Sequence, residues 1–106
     1  MSRQFDVVAN PDAEDATYRP YLVVLQSDLI SGLRSTVVAP LVLRQDMVGA
    51  QRLNPLMTVE GREYWLAMHE LFAIERRMLG TTVASVADQR DAVIAALDLL
   101  FTGFLR

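Results

Sequence analysis

Residues 20–43 read PYLVVLQSDLISGLRSTVVAPLVL, and their pattern decides the class of fold. Tyr21-Leu22-Val23-Val24-Leu25 is apolar at every position and rich in β-branched and aromatic side chains, the mark of a strand covered on both faces. Gln26-Ser27-Asp28-Leu29-Ile30-Ser31-Gly32 then breaks the pattern, polar residues surrounding one apolar pair. A loop that exposes Leu29 and Ile30 is expected there. Val37-Val38-Ala39-Pro40-Leu41-Val42-Leu43 resumes as a second strand. Pro40 has no N–H to give a ladder, so an edge or a bulge is its expected place.

Working outward, Gln4 to Ala9 has the look of a short strand, followed by an acidic turn at Asn10-Pro11-Asp12-Ala13-Glu14-Asp15. Residues 44–55 keep no steady period. Leu56–Val59 and Tyr64–Met68 flank Glu60-Gly61-Arg62, which predicts a hairpin with Gly61 in the positive-φ conformation. One of the neighbours Tyr64 and Trp65 must then face inward, because side chains alternate along a strand. Over 66–79 the composition favours helix while the flanks favour strand, and period alone does not arbitrate. Asp88, with Asp91 three residues on, predicts a capped helix over Ala92–Phe101. Its polar stripe is only Asp91, Asp98 and Thr102, so cover on more than one side is expected. The sum is a compact β domain, one unit over 1–106, closed by a terminal helix.

Composition excludes several functions. Ten arginines without a lysine face thirteen acids, for a net charge of −3, and only Arg76-Arg77 is a basic pair. No direct nucleic-acid binding is expected from that balance. There is no cysteine, hence no disulfide, thiolate nucleophile or zinc ribbon. No window reaches the roughly 18 apolar residues of a membrane span and the start is polar, so a cytoplasmic protein without membrane contact is the default expectation. The one histidine, His69, lacks a second at ligand spacing, and the glycines stand singly, so no metal, no cofactor and no catalytic set is expected. A small hydrolase or nuclease would rest on His69 and nearby acids alone.

Surplus apolar content points instead to an interface: 52% of residues are hydrophobic, mean hydropathy is +0.22, and Phe101-Thr102-Gly103-Phe104-Leu105-Arg106 ends the chain on large apolar side chains. Each such side chain gains about 1.5–3 kcal/mol by leaving water.

In order along the chain, Gln4-Phe5, Gln26-Ser27-Asp28-Leu29-Ile30, Val38-Ala39-Pro40-Leu41, Leu53-Asn54-Pro55, the glycine hairpin before Tyr64-Trp65, Leu79-Gly80 and Phe101-Thr102-Gly103-Phe104 resemble the CcdB family of toxins. The resemblance implies an SH3-like barrel of antiparallel strands with one C-terminal α-helix, assembled as a homodimer, and it makes the segment 66–79 strands. It implies a protein that is not an enzyme. Such a toxin binds the dimerisation domain of the DNA gyrase A subunit, traps the cleaved gyrase–DNA complex, and is neutralised by a CcdA-like antitoxin.

The gyrase-binding positions that carry over are Gln4, Phe5, Ser27, Leu29, Ile30, Asp98, Thr102, Gly103 and Phe104. Asp98 stands where the family has asparagine, Phe104 replaces an isoleucine, and Leu105 and Arg106 extend the usual end. The larger departure is Thr102, in place of a tryptophan that stacks on arginines. An indole over a guanidinium is worth about 0.5–2 kcal/mol. Three readings stay open: Phe104 supplies the aromatic, the target compensates, or the chain is a non-toxic interaction protein that binds an antitoxin-like peptide or another target.

Overall fold

A computed structural model describes residues 2–103; Phe104, Leu105 and Arg106 lie outside them. The strands are β1 (Asp6–Ala9), β2 (Tyr21–Val24), β3 (Ser35–Leu43), β4 (Leu56–Val59), β5 (Arg62–Leu66), β6 (Phe72–Glu75) and β7 (Thr82–Ser85), followed by one helix, α1 (Arg90–Thr102). They form one curled antiparallel sheet in the order β4-β5-β3-β2-β1-β7, with β6 also paired to β3. This is the mainly β, barrel-like class with a single C-terminal helix.

β3 organises the sheet. One of its edges pairs with β2, while the other is shared, Ser35–Val38 pairing with β6 and Leu41–Leu43 with β5. Pro40 stands in the gap between those two ladders, opposite Leu22, with its carbonyl accepting from Ala67 N at 2.9 Å. So the proline is neither on an edge strand nor at a bulge. It sits at the change of partner, where a missing N–H costs no ladder bond.

Alternation along the strands builds two cores. Val7, Val23, Ala39 and Leu41 join Met57, Tyr64, Leu66 and Met68 in a cluster closed by Val93 and Ala96 of α1. Val8, Leu22, Val24 and Val38 form the other, covered by Ile74 and Leu79. The all-apolar run 21–25 is thus covered on both faces, as its composition requires. Tyr64 is the inward member of its pair and meets Tyr21 edge to face at 5.6 Å. Trp65 is half-buried over the loop before β4, its Nε1 donating to the carbonyls of Arg44 and Met47.

The hairpin forms as expected. Val59 pairs with Arg62 across a two-residue loop in which Glu60 (φ 50°) and Gly61 (φ 79°) are both left-handed, the type I′ pattern that matches strand twist. Over 66–79 neither helix nor continuous strand is found: a 3₁₀ turn (Met68–Glu70), β6 and a second 3₁₀ turn (Arg76–Met78) follow one another. Local helix propensity yields there to the demand of β3 for a partner.

Asp88 does not cap α1. Gln89 holds that place with no side-chain bond, and the entry is a 3₁₀ turn (Ala87–Gln89) in which Ala87 N donates to Ser85 Oγ, Gln89 N to Val86 O and Arg90 N to Ala87 O. The other end stops at Gly103, left-handed at φ 69°, with its N–H on Leu99 O at 3.0 Å. Only Val93 and Ala96 of the helix are fully buried, whereas Ile94, Leu97, Leu99 and Leu100 are half-buried and Phe101 is exposed. The cover expected on more than one side is incomplete within the chain.

Gly80 marks a close approach, because a Cβ there would lie 2.5 Å from Ala9 O. Gly80→Ala is expected to cost about 1–3 kcal/mol of unfolding free energy in a denaturant titration. Gly32, with nothing within 4 Å of its Cβ position, is the control and should lose none on the same change.

Candidate functional site

The first group of candidate residues is assembled by the N-terminal segment and the loop between β2 and β3. Phe5 adopts φ 69°, a left-handed conformation that costs a bulky residue about 1–3 kcal/mol. It is held by burial of its ring in the larger core and by two backbone bonds, its N–H to Val24 O at 2.6 Å and its carbonyl to Val86 N at 2.9 Å. Its ring therefore offers no surface of its own. The kink shortens the first strand to Asp6–Ala9 and turns Gln4 across the loop, where its N–H donates to Asp28 Oδ1 at 2.9 Å and its Nε2 to Leu25 O at 3.0 Å.

Ser27 caps the 3₁₀ turn Asp28–Ile30, its Oγ accepting from Leu29 N at 3.1 Å. The base of the loop is fastened by Gln26, whose amide spans the ladder by accepting from Val37 N and donating to Ser35 O. On this pinned support Leu29 is 96% exposed, Ile30 48% and Leu33 54%. Gln4, Phe5, Ser27, Leu29 and Ile30, spread over the first thirty residues, thus meet in one place. Neither Gln26 nor Asp28 was among the expected site residues.

The second group lies at the end of α1. Asp98 and Thr102 are one turn apart on one stripe, and the Thr102 hydroxyl donates to Asp98 O at 2.6 Å. That back-bond holds the hydroxyl hydrogen on the helix. Phe101 beside it is 69% exposed, and Gly103 closes the helix. The expectation for Phe104 falls outside the described residues. α1 buries Val93 and Ala96 in the larger core, and the two groups are carried by different elements.

His69 lies elsewhere. Its Nδ1 is 3.1 Å from Asn54 Nδ2, which also donates to Leu66 O, while Asn54 Oδ1 accepts from Ala50 N. Asn54 is buried, and the imidazole completes its hydrogen bonding as an acceptor. Glu70 next to it is taken up by Arg19, which makes a forked pair of bonds of 3.0 and 3.1 Å, a third to Asp15 at 2.8 Å, and lies over the Tyr18 ring. The Glu70 hydrogen bond, ahead of Asp15, drives the Arg19 pKa further up, and the guanidinium stays charged. Among the described residues no group of three or more potential ligands could hold a metal ion, and no helix is long and apolar enough to cross a membrane.

The curled sheet closed by a C-terminal helix is a fold seen in bacterial toxins. Mycobacterium tuberculosis toxin MazF-mt6 superposes with a TM-score of 0.70 at 16% identity, over 93% of this chain and 96% of that one. A second structure, described as an Mtb toxin, gives 0.66 at 18% identity, over 78% and 92%. Likeness at such identity concerns the fold. The family follows from sequence: the model for CcdB protein matches residues 4–103, and the chain belongs to the CcdB family. No curated protein matches it.

Asp28→Ala removes the acceptor of Gln4 N and should raise the amide exchange rate of Gln4 while lowering stability by only about 0.5–1.5 kcal/mol, as read by NMR exchange and thermal melting. An unchanged Gln4 exchange rate would contradict the role given to Asp28.

Proposed function

We propose that this CcdB-family chain is the toxin of a toxin–antitoxin module, that it binds the dimerisation domain of the DNA gyrase A subunit and traps the cleaved gyrase–DNA complex, and that a CcdA-like antitoxin neutralises it. The observation that carries the reading is Leu29, almost fully in water on a turn whose capping serine, aspartate and base are each hydrogen-bonded. A pinned loop that exposes aliphatics is preorganised for an interface, since little ordering entropy remains to be lost on binding. Gln4, Ser27, Leu29 and Ile30 would contact the target, with Phe5 positioning them. Asp98, Thr102, Gly103 and Phe104 would form the second part of the footprint.

The half-buried Ile94, Leu97, Leu99 and Leu100 support a homodimer, in which a second copy would supply the cover α1 lacks within one chain. A cytoplasmic location follows from the proposed target. Action through an interface rather than catalysis also suits His69, whose Nδ1 is engaged with a buried asparagine.

The second reading, a non-toxic protein of the same fold that binds an antitoxin-like peptide, is favoured by one observation. Thr102 donates its hydroxyl to Asp98 O of its own helix and carries no ring to stack on a guanidinium.

Inducible expression in a bacterium, with gyrase supercoiling assayed in parallel, tests both. Wild-type protein should arrest growth and inhibit supercoiling, and Leu29→Asp should abolish both without lowering the melting temperature. Thr102→Trp should tighten binding to the gyrase A fragment about 2- to 30-fold, the value of a cation–π stack. Growth and supercoiling unaffected by excess wild-type protein would overturn the gyrase reading, and antitoxin-peptide binding retained alongside would select the second.

A further inference from the structure

A net charge of −3 hides where the arginines lie. The basic pair Arg76-Arg77 flanks an open hollow of about 560 Å³, which it shares with Ser2, Leu79, Gly80, Thr81 and Thr82. A second hollow of about 330 Å³ is lined by Ser2, Arg3, Asp28 and Ser31. Ser2 lines both, and the two hollows adjoining at it make the candidate groove. Among the described lining residues are three arginines and four hydroxyl side chains with one carboxylate, Asp28, one of whose oxygens accepts from Gln4 N; two further carboxylates stand next to the arginines, Glu75 on Arg77 and Asp6, which accepts from Arg3 N at 2.8 Å.

The chain builds this groove deliberately enough to be read in its bonds. Arg76 N donates to Arg34 O at 2.8 Å and Arg76 Nε to Leu33 O at 3.3 Å, tying the 3₁₀ turn Arg76–Met78 to the chain entering β3. Gly80 then lies against the Ala9 carbonyl, and Ala9 N donates to Thr81 O at 3.1 Å, which seats the two threonines beside the N-terminal segment. Arg77 is bonded to Glu75 at 2.7 Å, but with its side chain 76% exposed that pair is weak and exchangeable. No ion pair engages Arg3 or Arg76 among the described residues.

We propose that this groove is a contact site for a phosphodiester backbone, in particular duplex DNA. Arginines interleaved with serine and threonine hydroxyls are the donor set that binds phosphate oxygens without reading bases. A peptide would need apolar anchor pockets, and among the described residues Leu79 is the one large apolar residue lining the groove. Location favours DNA among nucleic acids. Asp28 lines the groove and heads the turn that carries Leu29 and Ile30, so a partner seated on that turn brings whatever it holds to the groove. The choice of DNA rests on the gyrase reading, because gyrase holds a cleaved duplex; the phosphate chemistry does not. Net charge read from the sequence gives no weight to where the arginines lie.

The test needs no gyrase. A fluorescent duplex of mixed sequence is titrated with the full chain over a range of salt, followed by anisotropy, with amide shifts recorded in parallel. Weak binding is expected, with log K falling against log salt at a slope of about −2.7 for three phosphate contacts. Shifts should concentrate at Ser2, Arg3, Ser31 and Thr81–Thr82. Arg76→Gln with Arg77→Gln should make the slope shallower by about two, and Arg3→Gln, in the segment before β1, by about one. No binding by the wild type, shifts elsewhere, or an unchanged slope in a folded variant would overturn the proposal. So would preferential binding of an acidic peptide of equal charge, which would assign the groove to a protein partner. Duplex binding without gyrase binding would be a failure of the gyrase reading alone, and the reverse a failure of this one alone.

Discussion

The molecule depends on one strand serving three partners. β3 is held along one edge by β2, and on the other by β6 over its first half and β5 over its last three residues. Pro40 falls where the second edge changes hands, and its carbonyl still takes a bond from Ala67. A residue with an N–H at that point would have an orphan donor in a buried stretch, a cost of about 1–3 kcal/mol, so proline fits the junction better than most residues. Everything beyond follows from that pairing. β6 closes the smaller core, β5 brings the hairpin and Tyr64 to the larger one, and α1 covers what remains.

The same strand sets the stage for function. Its register with β2 is extended by Leu25 N to Val37 O and then by the amide of Gln26, after which the chain is free to leave the sheet. What leaves is short and fastened on all sides, so its aliphatics stay in water instead of folding back. The strained Phe5 contributes by holding Gln4 and Asp28 together. A conformation that costs free energy is kept because the surrounding core and two backbone bonds over-determine it.

Much of this was legible in the sequence. The doubly covered strand, the glycine hairpin, the exposed Leu29 and Ile30 and the terminal helix each follow from neighbours within a few residues, where pattern and propensity act. Three features were not, for physical reasons. The stretch 66–79 carries helix-forming side chains that tertiary pairing overrides. Asp88 resembles a cap, but a 3₁₀ lead-in already gives Arg90 N the Ala87 carbonyl. The bonds that shape the site join Gln4 to Asp28 and to Leu25, 24 and 21 residues apart, and no local pattern announces them. Net charge likewise does not tell that Arg76 and Arg77 line one hollow and Arg3 another, with Ser2 in both.

The proposed function requires a foreign protein to meet the loop after β2 and the end of α1 together. Hydrogen–deuterium exchange of this chain, alone and with the gyrase A dimerisation domain, measures that contact directly. Protection is expected over residues 26–33 and 98–103, with the Asn54–His69 region unchanged. Protection centred on His69, or none anywhere on addition of excess fragment, would contradict it.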